Sequence, residues 1–222
     1  KKKINKFHKW IDLINSWKSK YPVMQKIYLK EKKYINSFHF IDCLSNNLRG
    51  NETIVTDMGT SFTCTMQGFK ILNPIKQRLF TSSGLAAMGF GLPGAIGAFF
   101  ASKSDPIICI TGDGGMMFNL QELQTISNYK IPMKIFVIEN QGYLTMKLMQ
   151  VKNFKKYVGS TKKSGISFPN LKTTSKAFNL KYFKLNKSNM KNQIISILKY
   201  KKSALIEVNM PPEQQLIPRT QN

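Results

Sequence analysis

Apolar positions recur along this chain in two rhythms. Near the start, Ile4, Phe7, Ile11, Ile14 and Trp17 or Lys18 return at near-helical spacing, which predicts an amphipathic helix ending before Tyr21-Pro22. Ser37 stands where it would cap a second helix running through Phe40, Ile41 and Leu44 to Arg49-Gly50. The rhythm then shortens. Ile54-Val55-Thr56 reads as a short strand, and the unbroken apolar runs 107–111 and 133–138 read as strands buried on both faces. Residues 84–102 are small and apolar and predict a thin helix able to pack closely on a neighbour. Leu120, Leu123 and Ile126 predict an amphipathic helix over about 119–128. Strand, helix and strand in that order make a βαβ unit with a right-handed crossover. The pattern repeats more weakly as a helix near 170–179, a strand at 182–185, a helix at 190–200 and a strand at 204–209. The expected fold class is α/β, a doubly wound, mostly parallel sheet with helices on both faces.

The length, 222 residues, suits one large domain or one domain with an extension. We divide it into a Lys-rich helical linker over 1–36 and a domain over 37–222. No apolar run approaches the ~20 residues that span a bilayer. Lys1-Lys2-Lys3 begins no signal peptide, and the chain reads as a piece of a longer polypeptide.

The formal net charge of +23 invites a nucleic-acid reading. Of the 34 basic residues, however, all but Arg49, Arg78 and Arg219 are lysine, and base recognition favours the guanidinium fork. The lysines are scattered apart from short clusters at 30–33 and 199–202, and aromatic residues do not interleave with them as on single-strand platforms. They read as a solvated basic surface, with a polyanion partner as the alternative; the expectation is no nucleic acid and no membrane. Cys43, Cys64 and Cys109 fit no metal spacing, and Cys109 lies in an apolar run as a buried thiol, pointing to a reducing, cytoplasmic setting. His8 and His39 lie far from any Ser–Asp pairing. An enzyme built on this chain would draw its reactivity from a cofactor.

Chemistry concentrates at two strand ends. Asp113, within Gly112-Asp113-Gly114-Gly115, follows one buried strand, and Asn140 follows the next. Ligands of open α/β sheets bind beyond the carboxyl ends of the strands, so the carboxylate and the amide oxygen should lie side by side. The glycines let backbone approach a phosphate, and a helix starting soon after Gly115 would direct N–H groups at the same point. Asp113, Asn140 and a carbonyl near Gly142 would leave coordination positions on a Mg2+ ion for phosphate and water. Either short motif alone is an ordinary turn; the pairing within one βαβ unit is what carries the reading.

At these residues the chain resembles the thiamine diphosphate enzymes. Gly112-Asp113-Gly114 followed by Asn140 looks like their fingerprint. The stretch from Thr81 through Gly84-Leu85-Ala86-Ala87-Met88-Gly89 to Pro93, with Val55-Thr56-Asp57-Met58-Gly59, resembles the acetolactate synthase branch. The resemblance implies the diphosphate-binding, C-terminal catalytic domain of a larger enzyme. It further implies Mg2+ on Asp113, Asn140 and the Gly142 carbonyl, and diphosphate contacts from Gly112, Gly114, Gly115, Thr60 and Ser61. Met88 would wedge the cofactor into its bent form, the Ala86 carbonyl would accept from the pyrimidine amine, and Tyr143 and Leu144 would face the thiazolium. A 2-oxo acid such as pyruvate would be decarboxylated on the cofactor and the acyl unit passed to a second carbonyl, or protonated and released. The activating glutamate would come from a pyrimidine domain of a partner subunit, so no catalytic residue is assignable here and a homodimer or homotetramer is expected. FAD could occupy a central domain. Acetolactate synthases of branched-chain synthesis carry a tryptophan whose aligned position here is near Lys147, which leaves the acceptor open; a keto sugar of surface-sugar synthesis and simple decarboxylation are the alternatives. A non-catalytic phosphate- or nucleotide-binding module and a basic nucleic-acid-binding protein are the readings from other classes.

Overall fold

The computed structural model describes residues 5–82, 84–102 and 106–216. Ile4 of the first apolar repeat, Ser83, Asp105 of the expected turn before Pro106, and Arg219 lie outside the described residues.

Helix α1 (Asn5–Lys20) forms where the apolar spacing predicts it. Its stripe of Phe7, Trp10, Ile11 and Trp17 stays exposed, with the two indoles edge to face at 5.8 Å. Helix α2 (Ser37–Ser45) is capped by Asn36 rather than Ser37: the Asn36 side chain accepts from the Phe38 and His39 N–H groups, and Ser37 is the first helical residue. The helix stops well short of Gly50.

The sheet is built from β1 (Thr53–Thr56), β2 (Arg78–Phe80), β3 (Ile107–Gly112), β4 (Lys134–Glu139), β5 (Lys181–Lys184) and β6 (Ala204–Asn209). Its order is β2-β1-β3-β4-β6-β5 and every pairing is parallel, so the expected "mostly parallel" sheet is wholly so among the described residues. Alternate strand residues feed two cores. Ile108, Ile110, Phe136, Ile138, Ile206 and Val208 face one side with α2 and α9 (Met190–Lys199). Ile107, Cys109, Ile135, Val137 and Leu205 face the other with α4 (Gly91–Ser102), α6 (Glu122–Asn128) and α8 (Leu171–Ala177). This two-sided burial is why those strands read as continuous apolar runs. Phe40 of α2 meets Phe136 of β4 ring to ring at 5.3 Å and fixes the first layer on the sheet.

The helix expected over 84–102 begins only at Gly91. Gly84, Ala86 and Gly89 all take positive φ, at 87°, 55° and 89°, so residues 84–90 turn instead of winding. The helix expected after Gly115 is two pieces, α5 (Asp113–Met117) and α6, and the first begins on Asp113 itself. Helices α3 (Thr60–Gly68) and α7 (Leu144–Phe154) and the edge strand β2 were not expected. Two lysines stand apart from the expected solvated surface, because Lys134 and Lys147 are buried. Cys109 is buried as expected, its thiol pushed well up by burial, and all three cysteines are free. No described helix is long and apolar enough to cross a membrane.

Candidate functional site

The chain steps from β1 outward to β2, then back across β1 to β3. The crevice between the carboxyl ends of β1 and β3 is therefore a topological switch point, where open parallel sheets bind ligands. Three segments leave the sheet there: Asp57-Met58-Gly59 leading into α3, Asp113 opening α5, and the loop Asn140-Gln141-Gly142-Tyr143 leading into α7.

Asp113 is buried at 3 % exposure and gripped by backbone. One carboxylate oxygen accepts from the Gly114 N–H at 2.7 Å; the other accepts from the N–H groups of Asn140 at 3.0 Å and Gln141 at 2.9 Å. Burial pushes its pKa up to about 6 against the pull of those N–H donors. The Asp113 carboxylate is thus tied to the backbone of Asn140 by a direct hydrogen bond across 27 residues of sequence. Asn140 is equally buried. Its amide nitrogen reaches the Thr60 hydroxyl at 3.5 Å, while its Oδ1 has no hydrogen-bond partner. A buried acceptor without a donor costs about 1–3 kcal/mol unless something fills the position. A hard cation that takes oxygen ligands could satisfy that acceptor, and the Asp113 carboxylate is the charged group in this part of the site that could serve it as a second ligand.

Gly142 has φ 154° and its N-terminal neighbour Gln141 has φ 60°, so the loop turns sharply after Asn140. A Cβ on Gly142 would run into the Ser160 carbonyl, which also accepts from the Tyr143 N–H at 3.0 Å. Beneath the loop, Lys147 is 1 % exposed. Its ammonium donates to the carbonyls of Asn140 at 3.2 Å and Pro212 at 2.6 Å, and burial lowers its pKa.

The glycines serve the protein's own packing as well as any ligand. The Tyr143 ring lies over Gly114 and stacks edge-on against Phe168 at 5.8 Å. Gly115 lies against the Asp57 carboxylate; a Cβ there would come within 2.9 Å of it. At Gly112 the space is open, with nothing nearer than the Ile138 carbonyl at 4.0 Å. Ser61 donates to the Met58 carbonyl, and Thr60 faces Asn140. The Leu144 side chain joins the buried core with Phe136 and Ile138. Ala86 and Met88 lie on the exposed turn 84–90, where Met88 is 37 % exposed.

Sequence reasoning passed over Asp57 except as a loop residue. It is wholly buried and binds three segments together: Oδ1 accepts from Met58 N at 2.7 Å and Gly89 N at 2.9 Å, and Oδ2 accepts from the Thr111 hydroxyl at 2.9 Å. Asn119 completes the latch by donating to the Gly89 carbonyl at 2.9 Å. The turn that carries Ala86 and Met88 is therefore held to the strand ends that carry Asp113. The sequence signal is only an Asp directly after an apolar strand; that Gly89, Gly91 and Gly115 come up against it is visible only in the fold.

Fold and site together define a doubly wound α/β domain whose polar groups converge at the switch point on a buried carboxylate and an unpartnered amide oxygen. Residues 57–208 match the thiamine pyrophosphate enzyme family, C-terminal TPP binding domain, and the chain belongs to that family. It is 29 % identical over 211 residues to the acetolactate synthase large subunit of Porphyra purpurea, covering 94 % of this chain and 34 % of that protein. To acetolactate synthase 1, chloroplastic, of Zea mays it is 29 % identical over 224 residues, 98 % of this chain and 34 % of that protein. A probable acetolactate synthase large subunit of Methanococcus aeolicus is 42 % identical over 136 residues, 60 % of this chain and 22 % of that protein. The chain thus spans about a third of the length of the first two of these acetolactate synthases.

Proposed function

We propose that this domain holds thiamine diphosphate through Mg2+ and forms one half of an active site that decarboxylates a 2-oxo acid, with pyruvate the first candidate, and transfers the acyl unit to a second carbonyl. The observation that carries the reading is the buried pair of Asp113 and Asn140, whose Oδ1 lacks a partner. Asp113, Asn140 and the Gly142 carbonyl would ligate the ion, and the backbone of Gly112, Gly114 and Gly115 with Thr60 and Ser61 would border the diphosphate. Ala86 would offer its carbonyl to the cofactor's amine, Met88 would support its bend, and Tyr143 and Leu144 would adjoin its thiazolium. When bound, the cofactor supplies the electron sink that carbon dioxide loss requires. The chain's own residues bind, orient and screen it, and the activating glutamate is assigned to another domain of a partner subunit in a homodimer or homotetramer. Lys147 is buried beneath the loop and bonded to two carbonyls, which supports a positioning role and not contact with the acceptor. A keto sugar as acceptor is the second reading, favoured by the lack of any tryptophan in 143–150.

The test uses the full-length polypeptide. Calorimetric titration with thiamine diphosphate should show binding that needs Mg2+ and weakens at least ~100-fold in Asp113→Ala and in Asn140→Ala, the range expected when a metal ligand is removed. Mass spectrometry of a pyruvate incubation then separates acetolactate from bare decarboxylation. Equal affinity in EDTA, or in Asp113→Ala, would overturn the assignment.

A further inference from the structure

The opposite end of the sheet holds a second cavity, of about 560 Å³, beside the first residues of β3 and β4. That volume lies within the range of small-molecule sites. Its apolar lining comes from Phe99 of α4, Ile107 and Ile108 at the start of β3, Pro132 just before β4, and Leu198 with Tyr200 at the end of α9. Its charge is one-sided: Arg49, Lys134, Lys199 and Lys201 line it, against the single carboxylate of Glu52. That carboxylate is already engaged. One oxygen accepts from the Arg49 N–H; the other accepts from the N–H groups of Gly50 and Asn51 and from the Gln77 amide.

Lys134 is the unusual member. It is 6 % exposed, and no ion pair to it is found among the described residues. Its ammonium donates to the carbonyls of Pro132 at 3.2 Å and Lys202 at 3.0 Å and lies 6.0 Å from the centre of the Tyr200 ring. Burial without a counter-charge brings its pKa down to about 8. Two carbonyls use two of its three donors, so a further acceptor is still wanted. A buried cation is costly unless a partner completes it.

We propose that this cavity binds a small organic anion, its apolar body on Phe99 and Tyr200 and its charged head among Arg49, Lys134, Lys199 and Lys201. The site stands at the amino ends of the strands, opposite the Asp113 crevice, and owes nothing to the cofactor reading. A solvated basic surface would attract anions without preference; this cavity pairs charge with an aromatic wall and so selects amphipathic ones.

Phenyl phosphate is the probe, titrated calorimetrically into the full chain at physiological salt. We expect one equivalent to bind about tenfold tighter than inorganic phosphate, and Lys134→Met and the exposed-residue pair Arg49→Ala/Lys201→Ala each to weaken it about tenfold or more. The control pair Lys172→Ala/Lys176→Ala on α8 should leave it unchanged, as should Asn140→Ala. Loss of binding in Asn140→Ala would put the anion at the cofactor crevice and overturn the proposal. Uptake of several equivalents that salt abolishes equally in all variants would overturn it too, leaving only diffuse attraction to a basic chain. Should Lys134→Met misfold, the Arg49/Lys201 pair decides alone, because both side chains are exposed.

Discussion

Removing the Asp57 carboxylate should release the turn that carries Ala86 and Met88. In Asp57→Ala three donors lose their acceptor: Met58 N, Gly89 N and the Thr111 hydroxyl. Two have somewhere to go. Met58 is half-exposed and finds water, and the Thr111 hydroxyl already sits 3.3 Å from the Gly112 carbonyl. Gly89 is buried, and its N–H has no substitute. Hydrogen bonds to a charged acceptor are worth about 1.5–3 kcal/mol, and an unsatisfied buried donor costs about 1–3 kcal/mol, so we expect a loss of about 3 kcal/mol. Asp57→Asn should cost about 1 kcal/mol, because the amide oxygen still serves Met58 and Gly89 while Thr111 reverses its proton toward Gly112. Urea denaturation gives both figures. Hydrogen exchange gives the location: the Gly89 amide should exchange about 100-fold faster in Asp57→Ala, with the β3 and β4 amides following only the global change. A loss below ~1 kcal/mol, or a destabilised protein in which Gly89 exchange is no faster than the rest, would refute the latch.

Three further outcomes follow from the residues around this site. Gly142→Ala should cost more than ~3 kcal/mol, since its Cβ meets the Ser160 carbonyl, whereas Gly159→Ala, at φ 56° with open space around it, should cost only ~1–2 kcal/mol; thermal melts of the pair compare them. The Asp113 pKa of about 6, raised from 3.8, means the folded chain holds that proton more tightly than the unfolded one. Its contribution is fully present below the ordinary carboxylate range and is lost as pH rises through about 6, up to ~3 kcal/mol in all, and Asp113→Asn should flatten that slope in pH-dependent denaturation. Because a cation binds the ionised form, Mg2+-dependent cofactor affinity should instead rise with pH through about 6 and be about tenfold weaker at pH 5 than at pH 7.

The elements legible from sequence were those whose burial is regular. β3, β4 and β6 contribute to both cores, so their middle positions form near-continuous apolar runs, with polar residues mainly at the strand ends. α2 and α9 press one stripe on the sheet and keep a helical period. What escaped lacks such a period. β2 is an edge strand of three residues, with Leu79 half-buried between two exposed neighbours. α3 is largely polar and buries Thr60, Ser61, Cys64 and Thr65, while α7 buries a lysine beside Leu144 and Leu148 and leaves Met146, Met149, Val151 and Phe154 exposed, so its apolar positions mark no single buried stripe. The Asp113–Asn140 pairing could be read because both residues end strands of one βαβ unit. The Asp57 latch could not, because its partners Gly89 and Thr111 are 32 and 54 residues away, joined only once the sheet has assembled. Asn36 and not Ser37 caps α2, and the Ser37 N–H and hydroxyl are instead bonded to Gln214, still farther away in sequence.

That last arrangement joins the two ends of the folded unit. Gln214 Oε1 accepts from Ser37 N at 2.9 Å, its amide nitrogen donates to the Ser37 hydroxyl at 2.8 Å, and Ile35 N donates to the Asn209 carbonyl at 2.8 Å. Residues 177 apart in sequence are thus one mechanical junction, and the domain is a closed ring of chain and not a string with two loose tips. The first helix of the domain and its last segment should fray as a single cooperative unit. A protease that nicks within 211–216 would loosen α2 on the far side of the sequence, and through the Lys147–Pro212 bond it would also reach the loop that carries Asn140.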